Sequence, residues 1–179
     1  GSGKTTLGGL LAAHVGARMA QLSAVHSGVK ELRQAIDEAR TALAERGQRT
    51  VLFIDEIHRY NKSQQDALLP HVESGAVVLL GATTENPSFE INGALLSRCR
   101  VLRLHAHGPA DLAMLLDAAL SDPERGLGRL QVELSDAVRQ GLIGYAAGDA
   151  RRLLTTLEAL AHVTTPEGDG VRRPGMGQL

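Results

Sequence analysis

Val51-Leu-Phe-Ile-Asp-Glu56 is an unbroken apolar run that ends in two acids. Consecutive apolar residues without alternation suit a strand covered on both faces, the pattern of a parallel sheet. Ligands of open α/β sheets sit outside the carboxyl ends of the strands, so such a strand delivers Asp55 and Glu56 to the place where chemistry occurs. A strand followed by a solvated acidic turn would read the same way, and the neighbouring motifs decide between the two.

Upstream, the chain opens Gly1-Ser-Gly-Lys-Thr-Thr6, which matches the end of the phosphate-binding pattern G-x-x-x-x-G-K-[ST]. Glycines let backbone N–H groups wrap a polyphosphate, and the following helix turns its positive end toward it. Lys4 is expected to reach the β- and γ-phosphates of ATP, and Thr5 to offer its hydroxyl to Mg²⁺. Gly1, Ser2, Gly3 and Thr6 complete the expected nucleotide contacts. A flexible Gly/Ser end before an ordinary helix is the bland alternative. Together with Asp55 and Glu56, the phosphate loop is preferred. Asp55 then holds Mg²⁺, and Glu56 orients and deprotonates the attacking water. The leading residues of the pattern precede Gly1, so the chain is read as a fragment that begins inside its own loop.

Working outward, Leu7, Leu10, Leu11 and Val15 follow helical spacing, and 17–22 is a weak strand candidate. Gly28 precedes a long amphipathic helix with Val29, Leu32, Ile36, Ala39 and Leu43 on one face, ended by Gly47. Asn61 and Gln64 have capping-box spacing before Leu68, Leu69 and Val72, and Pro70 should bend that helix. Buried strands are expected at 76–82 and 101–104. After Gly108-Pro109 only helices are expected, over 110–120, 135–147 and 149–163, the last with Leu153, Leu154, Leu157 and Leu160 on one face. The predicted fold is α/β: a P-loop parallel sheet followed by a small all-helical domain. The glycine-rich segment from Pro166 is expected to be loop or disordered.

Three further constellations bear on chemistry. Residues 77–85 read VVLLGATTE, where Thr83, or second Thr84, could touch the γ-phosphate or the lytic water. Local backbone bonds are the alternative use of such threonines. Arg98, in Leu95-Leu-Ser-Arg-Cys-Arg100, is either a surface ion-pair partner or an arginine that reaches a neighbouring subunit's ATP. In Gly148-Asp-Ala-Arg-Arg152, Asp149 can cap a helix whose first turn carries Arg151 and Arg152, where the macrodipole disfavours cations. That mismatch hints at a function for at least one of them. The seven histidines, His58 included, form no metal-ligand spacing and are read as ordinary residues.

The net charge of −1 gives no global pull toward nucleic acid. Phe53, Phe89, Tyr60 and Tyr145 are the only aromatics, too few for a base-stacking platform. Cys99 is alone, which fits a reducing cytoplasm. No run approaches the ~18 apolar residues of a membrane span, so no membrane partner is expected.

These motifs in this order resemble the AAA+ superfamily. The run from Asp55 through Gly75, with Gly81-Ala-Thr-Thr-Glu-Asn-Pro-Ser-Phe89, Ala94-Leu-Leu-Ser-Arg-Cys-Arg100 and Gly148-Asp-Ala-Arg-Arg152, is similar to the replication-associated recombination protein A family. The Werner helicase-interacting protein is its eukaryotic relative. The resemblance implies a nucleotide-binding α/β core over 1–107, a helical lid over 108–165 and a tail over 166–179. It also implies ATP and Mg²⁺, with Lys4 and Thr5 in the loop and Asp55 and Glu56 in the hydrolytic strand. Thr83 becomes a first sensor, Arg98 a trans-acting finger and Arg151 a lid sensor. The implied activity is DNA-stimulated ATP hydrolysis by a cytoplasmic, nucleoid-associated homo-oligomer at stalled or recombining forks. Implied partners are forked or junction DNA and replication proteins such as single-strand-binding protein. In that family a strand lies between those expected at 76–82 and 101–104. The resemblance leads us to expect that strand and a C-terminal oligomerisation domain outside these 179 residues, so the isolated chain is expected to bind ATP poorly and to aggregate. Rival readings are a Holliday-junction branch-migration motor and a clamp-loader-like switch that binds ATP without turnover.

Overall fold

A computed structural model of the chain describes residues 1–178. They form two compact units, one of residues 4–103 and one of residues 1–3 with the chain from 104 onward.

The first unit runs α1 (Lys4–His14), β1 (Arg18–Ser23), α2 (Val29–Arg46) and β2 (Thr50–Asp55). A 3-10 turn at Ile57–Arg59 leads to α3 (Lys62–Asp66), α4 (Leu69–Glu73), β3 (Val78–Gly81), α5 (Pro87–Glu90) and α6 (Gly93–Leu96). The strands form one parallel sheet in the order β1-β2-β3, with Ser23 opposite Asp55 and Ile54 opposite Gly81. The expected parallel α/β sheet is therefore present, and β2 is its central, buried strand.

Alternation along β2 sends its side chains to two layers. Leu52 and Ile54 join Leu32, Ile36 and Ala39 of α2 in the core, together with Leu68, Val77 and Leu95. Phe53 faces the other way, toward α1, where a Cβ added at Gly8 would stand 2.8 Å from its ring.

Several expectations change. In α1 the buried positions are Gly8 and Ala12, while Leu7, Leu10, Leu11 and Val15 are exposed. Close approach of the helix to Phe53 needs small residues, so the leucine stripe turns outward. In α2 the inner face is Leu32, Ala35, Ile36, Ala39 and Ala42, and Val29 is exposed. Asn61 and Gln64 do form a reciprocal capping box, and the following segment breaks into α3 and α4, with Pro70 in the first turn of α4. The strand expected at 76–82 shrinks to β3, an edge strand with Val78 exposed. Residues 101–104 form no strand, and Val101, Leu102 and Leu104 are exposed. No other described strand pairs with them, and an apolar run without a ladder partner leaves its backbone groups to water.

The second unit packs α7 (Pro109–Ser121), α8 (Asp136–Ala146) and α9 (Ala150–Val163) around Leu112, Leu116, Val138, Leu142, Leu153, Leu157 and Leu160. Leu154, expected on the inner face of α9, is exposed, and Ala161 takes a buried place instead. The segment after Pro166 is tied down where composition suggests looseness. Arg172 pairs in a β-bridge with Val132. Arg173 forms ion pairs with Glu133, Glu167 and Asp169 at 3.0, 2.7 and 2.9 Å. Leu179, the last residue of that segment, lies outside the described residues.

Candidate nucleotide-binding and hydrolytic site

Gly3 has φ +77, in the left-handed region, and a Cβ built there would meet nothing. The demand on this position is conformational rather than spatial, which is why glycine serves. The chain then enters α1, whose first turn holds Lys4, Thr5 and Thr6 above unpaired backbone N–H groups. The side chains of Lys4 and Thr5 make no hydrogen bond or ion pair among the described residues.

At the tip of β2, Glu56 has φ 52 and ψ 44. Left-handed backbone at a non-glycine residue costs about 1–3 kcal/mol, so the surroundings must impose it. They do so on both sides of the residue. Ala82 N–H donates to Ile54 O at 2.9 Å and Ile57 N–H donates to Ala82 O at 3.0 Å, tethering β2 and the 3-10 turn to the end of β3. Glu56 N–H donates to Asp55 Oδ1 at 3.1 Å. The chain thus breaks from the sheet at Glu56 and turns its carboxylate toward the Thr83-Thr84 strand end.

Thr84 Oγ1 donates to Glu56 Oε2 at 3.2 Å. Thr83 Oγ1 accepts the Glu85 N–H at 3.0 Å and lies 2.9 Å from His58 Nδ1. That same nitrogen is 3.3 Å from Glu56 Oε2. Asp55, Glu56, Thr83 and Thr84 are therefore one cluster, and His58, read from sequence as ordinary, belongs to it. Its position two residues beyond the acidic pair was the available signal.

Arg98 stands elsewhere in the unit. It donates to Ala94 O at 2.8 Å and pairs with Glu73 at 2.5 Å, both groups exposed. In the helical unit, Asp149 accepts the Arg152 N–H at 2.9 Å, as an N-cap should. Arg152 lies 5.9 Å from the Tyr145 ring centre and donates to Tyr145 O at 3.4 Å, so local packing accounts for it. Arg151 has no such partner among the described residues. Its Cβ lies 3.4 Å from the Cβ position of Gly1, which brings two of the expected site residues together within that unit.

The donors offered to a metal are the Thr5 hydroxyl and the Asp55 carboxylate, hard oxygens of the kind Mg²⁺ takes. No cluster of three metal-ligating side chains exists among the described residues. A cation held by one carboxylate, a hydroxyl, water and phosphate oxygens fits this set better than one held by a protein cage.

The family model described as "ATPase family associated with various cellular activities (AAA)" matches residues 1–105. The chain belongs to the AAA family. This AAA chain is 48% identical over 172 residues to replication-associated recombination protein A of Escherichia coli K12, covering 96% of the chain and 38% of that protein. It is 49% identical over 167 residues to the protein of that name in Coxiella burnetii, covering 93% of the chain and 37% of that protein. It is 48% identical over 158 residues to ATPase WRNIP1 of Dictyostelium discoideum, covering 88% of the chain and 18% of that protein. The resemblance drawn from the motifs is borne out. The chain thus spans a little over a third of the length of the bacterial relatives. Among solved structures, the Thermotoga maritima RuvB Holliday junction branch migration motor matches with TM-score 0.71 at 25% identity, over 98% of this chain and 55% of that one. No described helix is long and apolar enough to cross a membrane.

Proposed function

We propose that this AAA chain is the ATP-hydrolysing core of an enzyme that acts on DNA at stalled replication forks and in recombination. The observation that carries the reading is Glu56, held in left-handed backbone at the tip of the central strand with Thr84 on one carboxylate oxygen. Identity near 48% to two replication-associated recombination proteins supports the biological setting.

Each residue has a role in this reading. The loop ending at Gly3 and the N-terminus of α1 cradle the phosphates, with Gly1, Ser2 and Thr6 beside them, and Lys4 neutralises the β- and γ-oxygens. Thr5 and Asp55 would hold Mg²⁺, which when bound screens charge on the transferring phosphoryl group. Glu56 orients a water and removes its proton as the water attacks, giving ADP and phosphate. Thr83 contacts the γ-phosphate or that water. Arg98 acts on a neighbouring subunit's nucleotide in a homo-oligomer, and Arg151 serves as the lid's sensor. DNA stimulates turnover, and single-strand-binding protein is a candidate partner of the nucleoid-associated assembly.

In the full-length protein, Glu56→Gln is expected to keep ATP binding and to lose turnover by at least about 100-fold. Normal turnover in that variant, measured as phosphate release with and without forked DNA, would sink the assignment. The RuvB likeness favours a second reading, a branch-migration motor. The Glu85-Asn-Pro-Ser88 and Ser97-Arg-Cys99 segments oppose it. Stimulation by four-way junctions alone, and not by forks, would select it. Binding of ATP with no turnover on any DNA would select the switch reading instead.

A further inference from the structure

His58 has no part in the reaction as just described, yet its ring sits between two groups that do. Its side chain is only 10% exposed, and its Nδ1 meets Thr83 Oγ1 at 2.9 Å and Glu56 Oε2 at 3.3 Å. The Thr83 oxygen also accepts the Glu85 N–H at 3.0 Å.

A hydroxyl has two acceptor positions and one proton. When His58 Nδ1 carries a hydrogen, it donates to Thr83, and together with Glu85 N–H it fills both acceptor positions. The Thr83 proton is then left to whatever occupies the site. When Nδ1 is bare, its single lone pair accepts the Thr83 hydroxyl hydrogen, and an electron-rich nitrogen is left 3.3 Å from the Glu56 carboxylate. A carboxylate only accepts, so its place beside Nδ1 selects the hydrogen-bearing form. On the acid, Oε2 already receives the Thr84 hydroxyl, and Oε1 accepts no hydrogen bond among the described residues.

We propose that His58 is a positioning residue. With the hydrogen on Nδ1, it makes the Thr83 hydroxyl an obligate donor toward the γ-phosphate or the attacking water. The same nitrogen stands 3.3 Å from Oε2 of Glu56, the oxygen that receives the Thr84 hydroxyl, which leaves Oε1 to take the proton from water. His58 has this role only if Glu56 is the base of ATP hydrolysis.

The test compares His58→Asn, His58→Gln and His58→Ala in the full-length protein, with Glu56→Gln alongside. Asparagine can place an amide N–H near the Nδ1 position, whereas glutamine places its own near Nε2. His58→Gln and His58→Ala should lose kcat by about 10- to 100-fold with KM for ATP within about 3-fold, because misplaced groups slow chemistry more than binding. His58→Asn should retain kcat within about 3-fold, a rescue that mere filling of space would not produce. In a Thr83→Val background the His58→Ala loss should shrink to about 2-fold, since groups acting through one another are not additive. Wild-type kcat in His58→Ala would overturn the proposal. So would equal losses in the Asn and Gln variants, or independent effects of His58 and Thr83. If His58→Ala does not fold, the Asn and Gln pair decides. Normal turnover by Glu56→Gln would remove the hydrolytic reading and His58's role with it. A dead Glu56→Gln with unaffected His58 variants would remove His58's role alone.

Discussion

Thr84 donates its hydroxyl to Glu56 Oε2 across 3.2 Å. Sequence spacing ranks Thr83 ahead of Thr84 as the polar group at this strand end. In the structure Thr84 is the one hydrogen-bonded to the carboxylate, and Thr83 touches it only through His58. The two threonines therefore serve different partners. Thr84→Val removes one anchor from the acid without touching the phosphate loop. It should lower kcat by about 10-fold and leave ATP affinity within about 2-fold. Steady-state turnover beside equilibrium nucleotide binding checks this, and a loss confined to affinity would contradict it.

Arg98 and Glu73 form an ion pair at 2.5 Å in which both side chains are close to half exposed. An exposed pair of this kind contributes about 0–1 kcal/mol, so Glu73 does not bind the arginine tightly. Arg98→Ala should therefore change folding stability by no more than about 1 kcal/mol. If Arg98 stabilises transition-state charge on a neighbour's nucleotide, turnover should fall about 1,000-fold or more. Mixing such subunits with Glu56→Gln subunits should restore activity, because sites with an intact Glu56 then receive an intact Arg98. Absence of any rescue in the mixed assembly would argue against action in trans.

Much of this was legible in the sequence, for physical reasons that can be named. The run from Val51 to Glu56 has no alternation, so its double burial and parallel pairing follow directly. Asn61 and Gln64 state their capping box by spacing alone. What the sequence hid depends on contacts between elements. Leu7, Leu10 and Leu11 outline an apolar helix face, but the approach of Phe53 selects Gly8 and Ala12 for the sheet. Residues 101–104 look like a strand, but a strand needs a neighbour, and β3 is the edge of the sheet. Glu56's left-handed backbone and His58's place beside Thr83 arise only when β2 and β3 end together. The sharpest functional geometry was thus the least visible in the chain.

Tyr60 is 2% exposed in the core of the sheet unit, and its hydroxyl has no hydrogen-bond partner among the described residues. A buried, unpaired hydroxyl retains its desolvation cost, about 1–3 kcal/mol. Tyr60→Phe should accordingly leave stability unchanged or raise it by about 1 kcal/mol. Burial, followed by the charge of Glu31, also pushes the phenol above its ordinary value of 10.0. The unfolded chain ionises first as pH rises, so stability held below that value is lost above it. Denaturant melts at neutral pH and above pH 10 check both points: the variant should lose less on the alkaline side. A large loss of stability at neutral pH would mean that the hydroxyl has a partner after all.

Gly8 sets how closely α1 lies on the sheet. A Cβ there would stand 2.8 Å from Phe53 Cδ2 and 3.1 Å from Cε2, and Phe53 is itself only 2% exposed. The ring is enclosed and cannot swing into solvent, so an added side chain must push the helix away or force the ring off its rotamer. Such overpacking costs about 1–3 kcal/mol. Valine regains only a few tenths of a kcal/mol over glycine in helix propensity, too little to reverse the sign. Gly8→Val should therefore destabilise the protein by about 2 kcal/mol, read as a lower denaturation midpoint. Because α1 carries Lys4 and Thr5 in its first turn, the same shift should weaken ATP binding while Glu56 and Thr84, held by β2 and the segment after β3, stay paired. Loss of affinity should thus exceed loss of kcat, the reverse of the Thr84→Val pattern. Equal effects of the two substitutions on binding and turnover would show that helix and strand tip do not act as separate parts of the site.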